Sequence, residues 1–482
     1  MKKILIIGGG IAGLTAGIYA QKAGFQSVIV EKHSITGGEC TGWDRKGFHI
    51  DGCIHWLMGT KEGTGLNRLW KEVGALEEET EIHQPDYAVK AEYEGSTVYL
   101  YRDLDKLKEH LIDVSPEDRE EIETLCQSIE AFIGFEPPVE KPLDMMNPIE
   151  IGKFMVSMRK VGSVRKQLGN LTVGDYCTRF KNPAIGKALT TMIPEYYSAY
   201  ILPSSLATFV SGNGGRPKGG SRAFARRMEE KYKSLGGELV LGKEVKEIVV
   251  EGGRAKALLL EDGSEMTGDY VVPACDSHVT LKILLKDRYR DRKFEERYKD
   301  ENTYPLQSSV YLSLGVDGDL TGYPQDFAFQ TEKLQVEDEQ TDMISYKHYC
   351  YEPAFAPVGK SIMIVYFPAK YQWWKEKKRE QYMAEKTKLG EDVIKGVEGR
   401  FPELQGKIRV LDVATPLTYE RYCGAYKGSW MSFGATPKAK QMIHKGRIKG
   451  IKNLYMAGQW LMPPGGLPSA LLTGKWAIQR IK

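Results

Sequence analysis

The sequence contains no C-x-x-C spacing among its seven cysteines, Cys40, Cys53, Cys126, Cys177, Cys275, Cys350 and Cys423. An odd and scattered set argues against a disulfide framework and a thiolate zinc site, and no metal centre is expected. Reduced thiols in a cytoplasmic protein are the expectation. The 13-residue separation of Cys40 and Cys53 is unlike a redox dithiol motif. No apolar run approaches the ~20 residues that span a bilayer, so any membrane contact is expected to be peripheral, at the inner face. The chain enters an apolar strand almost at once, and no secretory leader is expected. An excess of one charge is also lacking. The 67 Lys and Arg against 64 Asp and Glu leave +3, interleaved throughout, so no nucleic-acid partner is expected. Tandem repeats, low-complexity tracts, a convincing catalytic triad and a carboxylate pair are all missing. What remains is an ordinary globular composition, 41% hydrophobic and 27% charged over 482 residues, enough for two or three domains' worth of core.

The first 31 residues carry the strongest signal. Ile4–Ile7 is a short apolar run, followed by Gly8-Gly9-Gly10-Ile11-Ala12-Gly13, a small-residue helix, Val28-Ile29-Val30 and Glu31. This is a dinucleotide fingerprint in its strand–turn–helix–strand context. Gly8 permits the tight turn, Gly10 admits a pyrophosphate to the backbone, and Gly13 lets the helix press on the sheet. The helix start at Ile11 and Ala12 offers free N–H groups and a partial positive charge. Glu31, about 20 residues on, is placed for a ribose diol, with Lys32 beside it.

Further along, Gly37-Gly38 lies in a second glycine-rich loop, and a strand-like run covers Gly47 to Trp56. Proline punctuates 137–148. Residues 149–168 read as a basic amphipathic helix, either core-packed with a solvated face or lying in a membrane interface. A helix after Pro217 ends at Gly236-Gly237. Strands follow at 238–241, 245–251 and 255–261, turned by Gly252-Gly253 and Asp262-Gly263. Residues 270–276 read as a strand returning to the central sheet. The Gly212–Gly215 cluster reads as a loop. A charged helix is expected around 375–398. At the end, 453–458 reads as a strand running into Gly458, with a final helix from Leu467.

Two features favour flavin over nicotinamide: the Gly37-Gly38 loop after the ribose acid, and a second glycine–helix start late in the chain. The segments GGGIAGL, VEK, TGGECTGWDRKGFHIDGCIHWLMG, PKGGSRAFARRMEEKYKSLGGELVLGKEVKEIVVEGG and LYMAGQWLMPPGGLPSALLTG, in that order, resemble the phytoene desaturase family. That family includes carotenoid desaturases, carotenoid isomerases and retinol saturases, among the amine-oxidase-like flavoproteins. The resemblance implies an α/β fold, with a Rossmann-like FAD-binding domain of parallel sheet plus β-meander. An α+β substrate domain is built from inserted segments. The expected division is 1–70, 211–290 and 421–482 for FAD, and 71–210 and 291–420 for substrate. It also implies that Gly8, Gly10, Gly13, Glu31, Gly37 and Gly38 meet the ADP half, Val245 the adenine, and Gly458, Gln459, Gly465, Gly466 and Leu467 the flavin end. Glu39 stands where many members carry Arg, Gln459 where many carry Asp, and Pro464 where relatives often have Gly.

The expected activity is hydride transfer between flavin N5 and an extended apolar, isoprenoid or polyene substrate, as desaturase or saturase. Alternatives are a redox-neutral carotenoid-type isomerase, an amine oxidase with an aromatic cage, and a non-catalytic flavoprotein. The cofactor carries the hard chemistry, so no dedicated acid–base set is required. Candidate cavity residues are His55, Trp56, Tyr197 and Trp460, each also readable as packing. Asp51 reads as a loop organiser. Glu195, Tyr196 and Tyr200, and Tyr419, Arg421 and Tyr422, are weaker candidates. The electron acceptor is not named by any motif.

Overall fold

The computed structural model describes residues 1–481. At its centre a parallel sheet places strand Lys3–Ile7 between Gln26–Glu31 and Tyr270–Pro273, with Glu238–Leu241 beyond Gln26–Glu31. Covered on both faces, these strands are continuous apolar runs, and Ile4, Leu5, Ile6, Val28, Ile29 and Val30 are all buried, as parallel sheets require. The Ile11–Lys22 helix is buried nearly all round. It packs against the Gly220–Ser234 helix and the final helix, Leu467–Gln479.

Glycine makes these approaches close. A Cβ on Gly13 would stand 1.9 Å from the Gly8 carbonyl oxygen, and one on Gly474 would stand 2.6 Å from that of Ala12. The final helix therefore lies directly on the first, and the two ends of the chain share one wall. Tyr232 ties the third helix of this layer beneath the sheet, its hydroxyl donating to the Ser27 carbonyl at 2.8 Å.

A three-stranded antiparallel meander, Val245–Glu251, Arg254–Leu260 and Glu265–Thr267, flanks the parallel sheet. Gly252 and Gly253 have φ of +56° and +72°, the conformation that two-residue hairpins demand. A seven-stranded mixed sheet forms the other half of the molecule. Its order is Ile408–Ala414, Ser309–Val316, Ser361–Pro368, Glu339–His348, Asp326–Val336, Tyr87–Tyr93 and Ser96–Tyr101. Every residue of Ser309–Val316 is buried. The α/β architecture, with a parallel sheet, a meander and a second mixed sheet, is the one the sequence implies.

Two expectations need correction. Residues 453–458 form no full strand. Leu454 makes a single parallel bridge to Val271; the Tyr455 and Ala457 N–H groups still donate to the Val271 and Pro273 carbonyls at 3.0 and 2.8 Å, but Pro273 has no N–H to return, so the ladder is not completed. The Gly212–Gly215 region is not all loop: Gly214–Pro217 is a short strand between Leu57–Met58 and Ile82–His83. Its glycines hide its strand character, yet a Cβ on Gly215 would stand 2.2 Å from the Ile82 side chain. The helix expected over 149–168 is present as Pro148–Leu168; its second half packs through Val161, Val164 and Leu168, with Met158 partly buried against the same core. Its first half leaves Ile149, Met155 and Val156 71%, 61% and 58% exposed.

Candidate active site

Three glycine-bearing segments meet around one cavity of about 1990 Å³, whose wall includes Gly10, Gly37, Gly38, Gly458, Gly465 and Gly466. Gly8 has φ of +101°, a conformation open mainly to glycine. The Gly37 N–H donates to the Gly9 carbonyl at 2.9 Å, which seats the second glycine loop on the first. A Cβ on Gly10 would project toward the Gly37 carbonyl and Gly38 Cα, 3.8 Å from each, into the gap between the two loops. Gly10 caps the first helix with no side chain, so the first-turn N–H groups at Ile11, Ala12 and Gly13 keep no intrahelical partner. Ile11 and Ala12 line the cavity, and Gly13 does not; its role is the helix–sheet contact. Glu31 is buried and its carboxylate is held from two sides. Oε2 accepts from the Gly9 N–H at 2.7 Å and Oε1 from the His33 N–H at 2.8 Å. A carboxylate has about four acceptor positions, which leaves room for a diol. Lys32 and Val245 also line this end.

At the opposite side, Gly458, Gln459, Gly465, Gly466 and Leu467 line the cavity together. Gly466 precedes the last helix and provides no side-chain cap. The Gly458 N–H donates to Thr473 Oγ1 at 2.9 Å. Gln459 works as an organiser: its Oε1 accepts from the Gly466 N–H at 2.8 Å and its Nε2 donates to Glu39 Oε2 at 3.1 Å. Burial, with the neighbouring Asp276 charge, pushes the Glu39 carboxyl up to about 8. Burial also raises Asp276, to about 6, against the hydrogen bonds it accepts from the Tyr426 and His278 N–H groups. Near neutrality Glu39 is thus an uncharged group beside the glycine cradle. Uncapped helix starts, glycine gaps and an uncharged Glu39 fit a dinucleotide's phosphates.

His55, Trp56, Tyr197 and Trp460 all line the same cavity. The His55 ring meets Tyr366 edge-on at 5.0 Å and Tyr311 at 6.4 Å. Trp56 packs on Phe209 at 5.2 Å. Tyr197 donates its hydroxyl to Gln307 Oε1 at 3.1 Å. Trp460 is 5% exposed and packs against Phe433 at 5.1 Å and Tyr298 at 6.0 Å, so most of its ring is core. Glu195, Tyr196, Tyr200, Tyr419 and Tyr422 reach the wall as well. Asp51 organises the loop: Oδ2 accepts from the Ser221 N–H at 2.7 Å and Oδ1 from the Ser221 hydroxyl at 2.5 Å.

Sequence spacing conceals two groupings here. Gly42 pairs with Asp51 and the Gly52 N–H donates to the Thr41 carbonyl at 2.9 Å, so the hairpin register sets Cys40 opposite Cys53. Both line the cavity, and the Cys40 thiol, with burial, holds Cys53 well above the ordinary thiol value. Tyr311 and Tyr366, from two neighbouring strands, supply stacked rings 6.4 Å apart. Nothing in their local sequence marks them.

A parallel sheet with glycine turns and two uncapped helix starts around one long cavity defines a dinucleotide-binding flavoprotein fold. The pattern of the flavin containing amine oxidoreductase family matches residues 11–482, and the chain belongs to that family. It is an FAD-dependent oxidoreductase. It is 24% identical to a 4,4'-diapophytoene desaturase (4,4'-diapolycopene-forming) of Methylomonas sp, over 99% of this chain and 96% of that one. It is 22% identical to the chloroplastic prolycopene isomerase of Daucus carota, over 99% of this chain and 79% of that one. Among solved structures, an oxidoreductase from Methanosarcina mazei shares the fold with a TM-score of 0.63 at 18% identity, covering 99% of this chain and all (100%) of that one.

Proposed function

We propose that this enzyme transfers hydride between its flavin and an extended apolar, polyene-type substrate, as a desaturase or saturase. The observation that carries this reading is the cavity. At about 1990 Å³ it exceeds the ~300–1,000 Å³ of ordinary ligand pockets, so it holds a dinucleotide with space beyond. Past the glycine cradle the wall continues through Trp56, Met192, Ile193, Ile201, Met343 and Phe367. Such a wall binds a long hydrocarbon by burial of apolar surface and offers it few hydrogen bonds. The named activities of the desaturase and isomerase relatives support the same substrate class. In this reading 1–70, 211–290 and 421–482 hold the cofactor, and 71–210 and 291–420 hold the substrate.

When bound, FAD supplies the two-electron acceptor or donor. The chain's own part is to orient and to exclude water. Gly8, Gly10, Ile11, Ala12, Gly37 and Gly38 hold the pyrophosphate. Glu31, Lys32 and Val245 hold the adenosine. Gly458, Gln459, Gly465, Gly466 and Leu467 hold the flavin end, and Trp56 and Tyr197 shape the apolar space. The Tyr311–Tyr366 pair is the feature that would suit an amine, since a cation is attracted to aromatic faces. Arg216 lies close enough to bear on His55 beside these rings, and its charge repels an ammonium. That favours the hydrocarbon.

The exposed first half of the Pro148–Leu168 helix supports peripheral membrane contact. Ile149, Met155 and Val156 stand out interleaved with exposed Lys153, Arg159 and Lys160, apolar and basic groups that an anionic membrane surface attracts. No helix among the described residues is long and apolar enough to cross a membrane. The deciding experiment mixes FAD-loaded protein anaerobically with 4,4'-diapophytoene or prolycopene in micelles, or with putrescine, and follows flavin bleaching and product. Bleaching by the polyenes alone is expected. Bleaching by putrescine alone would replace this reading with amine oxidation.

A further inference from the structure

Behind the cavity wall lies a charged cluster that the flavin and substrate contacts leave unused. Arg216 Nη2 is 2.7 Å from Asp326 Oδ1, and Lys347 Nζ is 3.5 Å from the same oxygen; each side chain is 9% exposed. Asp326 and Lys347 are directly opposed in an antiparallel ladder, so the sheet register fixes their meeting. Arg216 also donates from Nε to the His55 carbonyl at 2.7 Å, which joins the cluster to the loop that carries His55. Two cations thus face one carboxylate. Arg216 Nη1 and Asp326 Oδ2 are buried without a partner.

Such a cluster is electrically unbalanced, and burying an uncompensated charge is costly. The least expensive relief is loss of the lysine proton. Burial and then the Arg216 charge push Lys347 down to about 7, against the pull of Asp326 and Asp51. The same surroundings act on His55. Burial, then Lys347 and Arg216, hold its imidazole well below the ordinary histidine value. Its ring lines the cavity beside Tyr311 and Tyr366. Among the described residues neither ring nitrogen makes a protein hydrogen bond; the residue's polar contacts run through its backbone.

We propose that His55 takes up and returns the substrate's proton, and that the Arg216–Asp326–Lys347 cluster is a positioning device that keeps this imidazole a neutral acceptor. The proposal rests on the polyene reading above. Desaturation breaks two adjacent C–H bonds. One hydrogen leaves with its electron pair to oxidised FAD. The electron pair of the second C–H bond becomes the new C=C π bond, and its proton passes to an imidazole nitrogen of His55. Once the hydride has gone, the adjacent C–H is strongly acidic, so a weak neutral base suffices. The imidazolium formed in this buried place near the Arg216 charge sheds its proton readily. In the saturating direction the same imidazolium is a strong acid, suited to protonating a polyene.

The test uses the FAD-loaded full chain with labelled histidine and follows ring resonances by NMR from pH 4 to 9. His55 is assigned by the signal missing in His55→Gln. In the wild type it is expected to titrate well below 6.5. Lys347→Met leaves Arg216 and Asp326 as a balanced pair, and should move the His55 midpoint up by roughly one pH unit or more. Lys347→Arg, which keeps the second positive charge, should leave the midpoint low. In single-turnover bleaching by 4,4'-diapophytoene, His55→Gln should be slower by roughly 10²–10⁴-fold at unchanged flavin content. The acid limb of the wild-type pH profile should move upward in Lys347→Met. A His55 that titrates normally, or ignores Lys347→Met, overturns the cluster's role. Equal bleaching rates in wild type and His55→Gln overturn the proton role alone. A wild type that no polyene bleaches sinks the polyene reading and the proton role with it, while the NMR result still decides the cluster's hold on His55.

Discussion

In Gly10→Val two γ-methyl groups enter the gap between the first helix and the Gly37–Gly38 loop. The backbone does not oppose the change: Gly10 has φ −71° and ψ −179°, which any residue adopts. A Cβ there has no neighbour closer than 3.8 Å, so the apoprotein loses only the N-cap preference of glycine, at most about 1 kcal/mol. In the proposed placement the phosphates would occupy the same space, and overpacking of this kind costs about 1–3 kcal/mol. A loss near the top of that range, about 2.7 kcal/mol, is roughly a hundredfold in affinity. At a free FAD concentration of a hundred wild-type dissociation constants, bound FAD stabilises the wild type by about 2.7 kcal/mol. The variant would retain only about 0.4, so about 2.3 kcal/mol of ligand stabilisation disappears. Gly13→Ala is the control, since its Cβ would stand 1.9 Å from the Gly8 carbonyl oxygen and must damage the fold itself. Thermal unfolding of apoprotein and of FAD-saturated protein, with FAD fluorescence titration, separates the two. A near-normal apoprotein with weakened FAD binding is expected for Gly10→Val, and a lowered apoprotein midpoint for Gly13→Ala. Wild-type FAD affinity in Gly10→Val would refute the placement of the pyrophosphate.

Glu39 makes FAD retention pH-dependent. Its folded value of about 8 lies above the ordinary 4.5, so the protonated form is favoured by folding. Its stabilising contribution is full below about 4.5 and is lost as pH rises through about 8, and the anion then also repels phosphate. The FAD dissociation constant should rise between pH 7 and 9 in the wild type and stay flat in Glu39→Gln; parallel profiles would contradict this. Flotation with anionic vesicles should fall in Ile149→Glu/Met155→Glu at unchanged flavin content, and undiminished flotation would remove this helix from the membrane contact. Alkylation of Cys53 by iodoacetamide at pH 7.5 should be slow in folded protein and fast in urea, because its thiol is held protonated beside Cys40; rapid folded-state labelling would show otherwise.

The parts of the fold legible in the sequence are those with local causes. Gly8 and Gly13 mark a turn and a helix–sheet contact that no other residue tolerates, and the apolar run Ile4–Ile7 announces a strand covered on both faces. The paired glycines at 252 and 253 state their own hairpin. Residues 453–458 carry the same apolar-then-glycine pattern and run beside Tyr270–Pro273, yet they close only one bridge, because Pro273 has no N–H to return to them. Propensity within 453–458 cannot reveal a proline on the partner strand. The Pro148–Leu168 helix shows the same limit. Its periodicity is real, but whether Ile149 and Met155 find a partner depends on surfaces hundreds of residues away.

At the site the division follows the kind of interaction. Backbone recognition of a dinucleotide needs glycine at fixed spacing, and so Gly10, Gly37 and Gly466 are visible in one dimension. The groups behind His55 act through charge in a dry interior, where sequence distance is irrelevant. Arg216 sits in a glycine-rich strand, Asp326 heads one strand and Lys347 nearly ends the next. Each alone reads as a surface charge. Only the register that opposes Asp326 to Lys347, and the Arg216–His55 hydrogen bond at 2.7 Å, bring them to one point. A neutral imidazole on an apolar wall follows from that convergence and from no motif. The proposed cofactor contacts are therefore written in glycines, while the proposed proton route is written in sheet register.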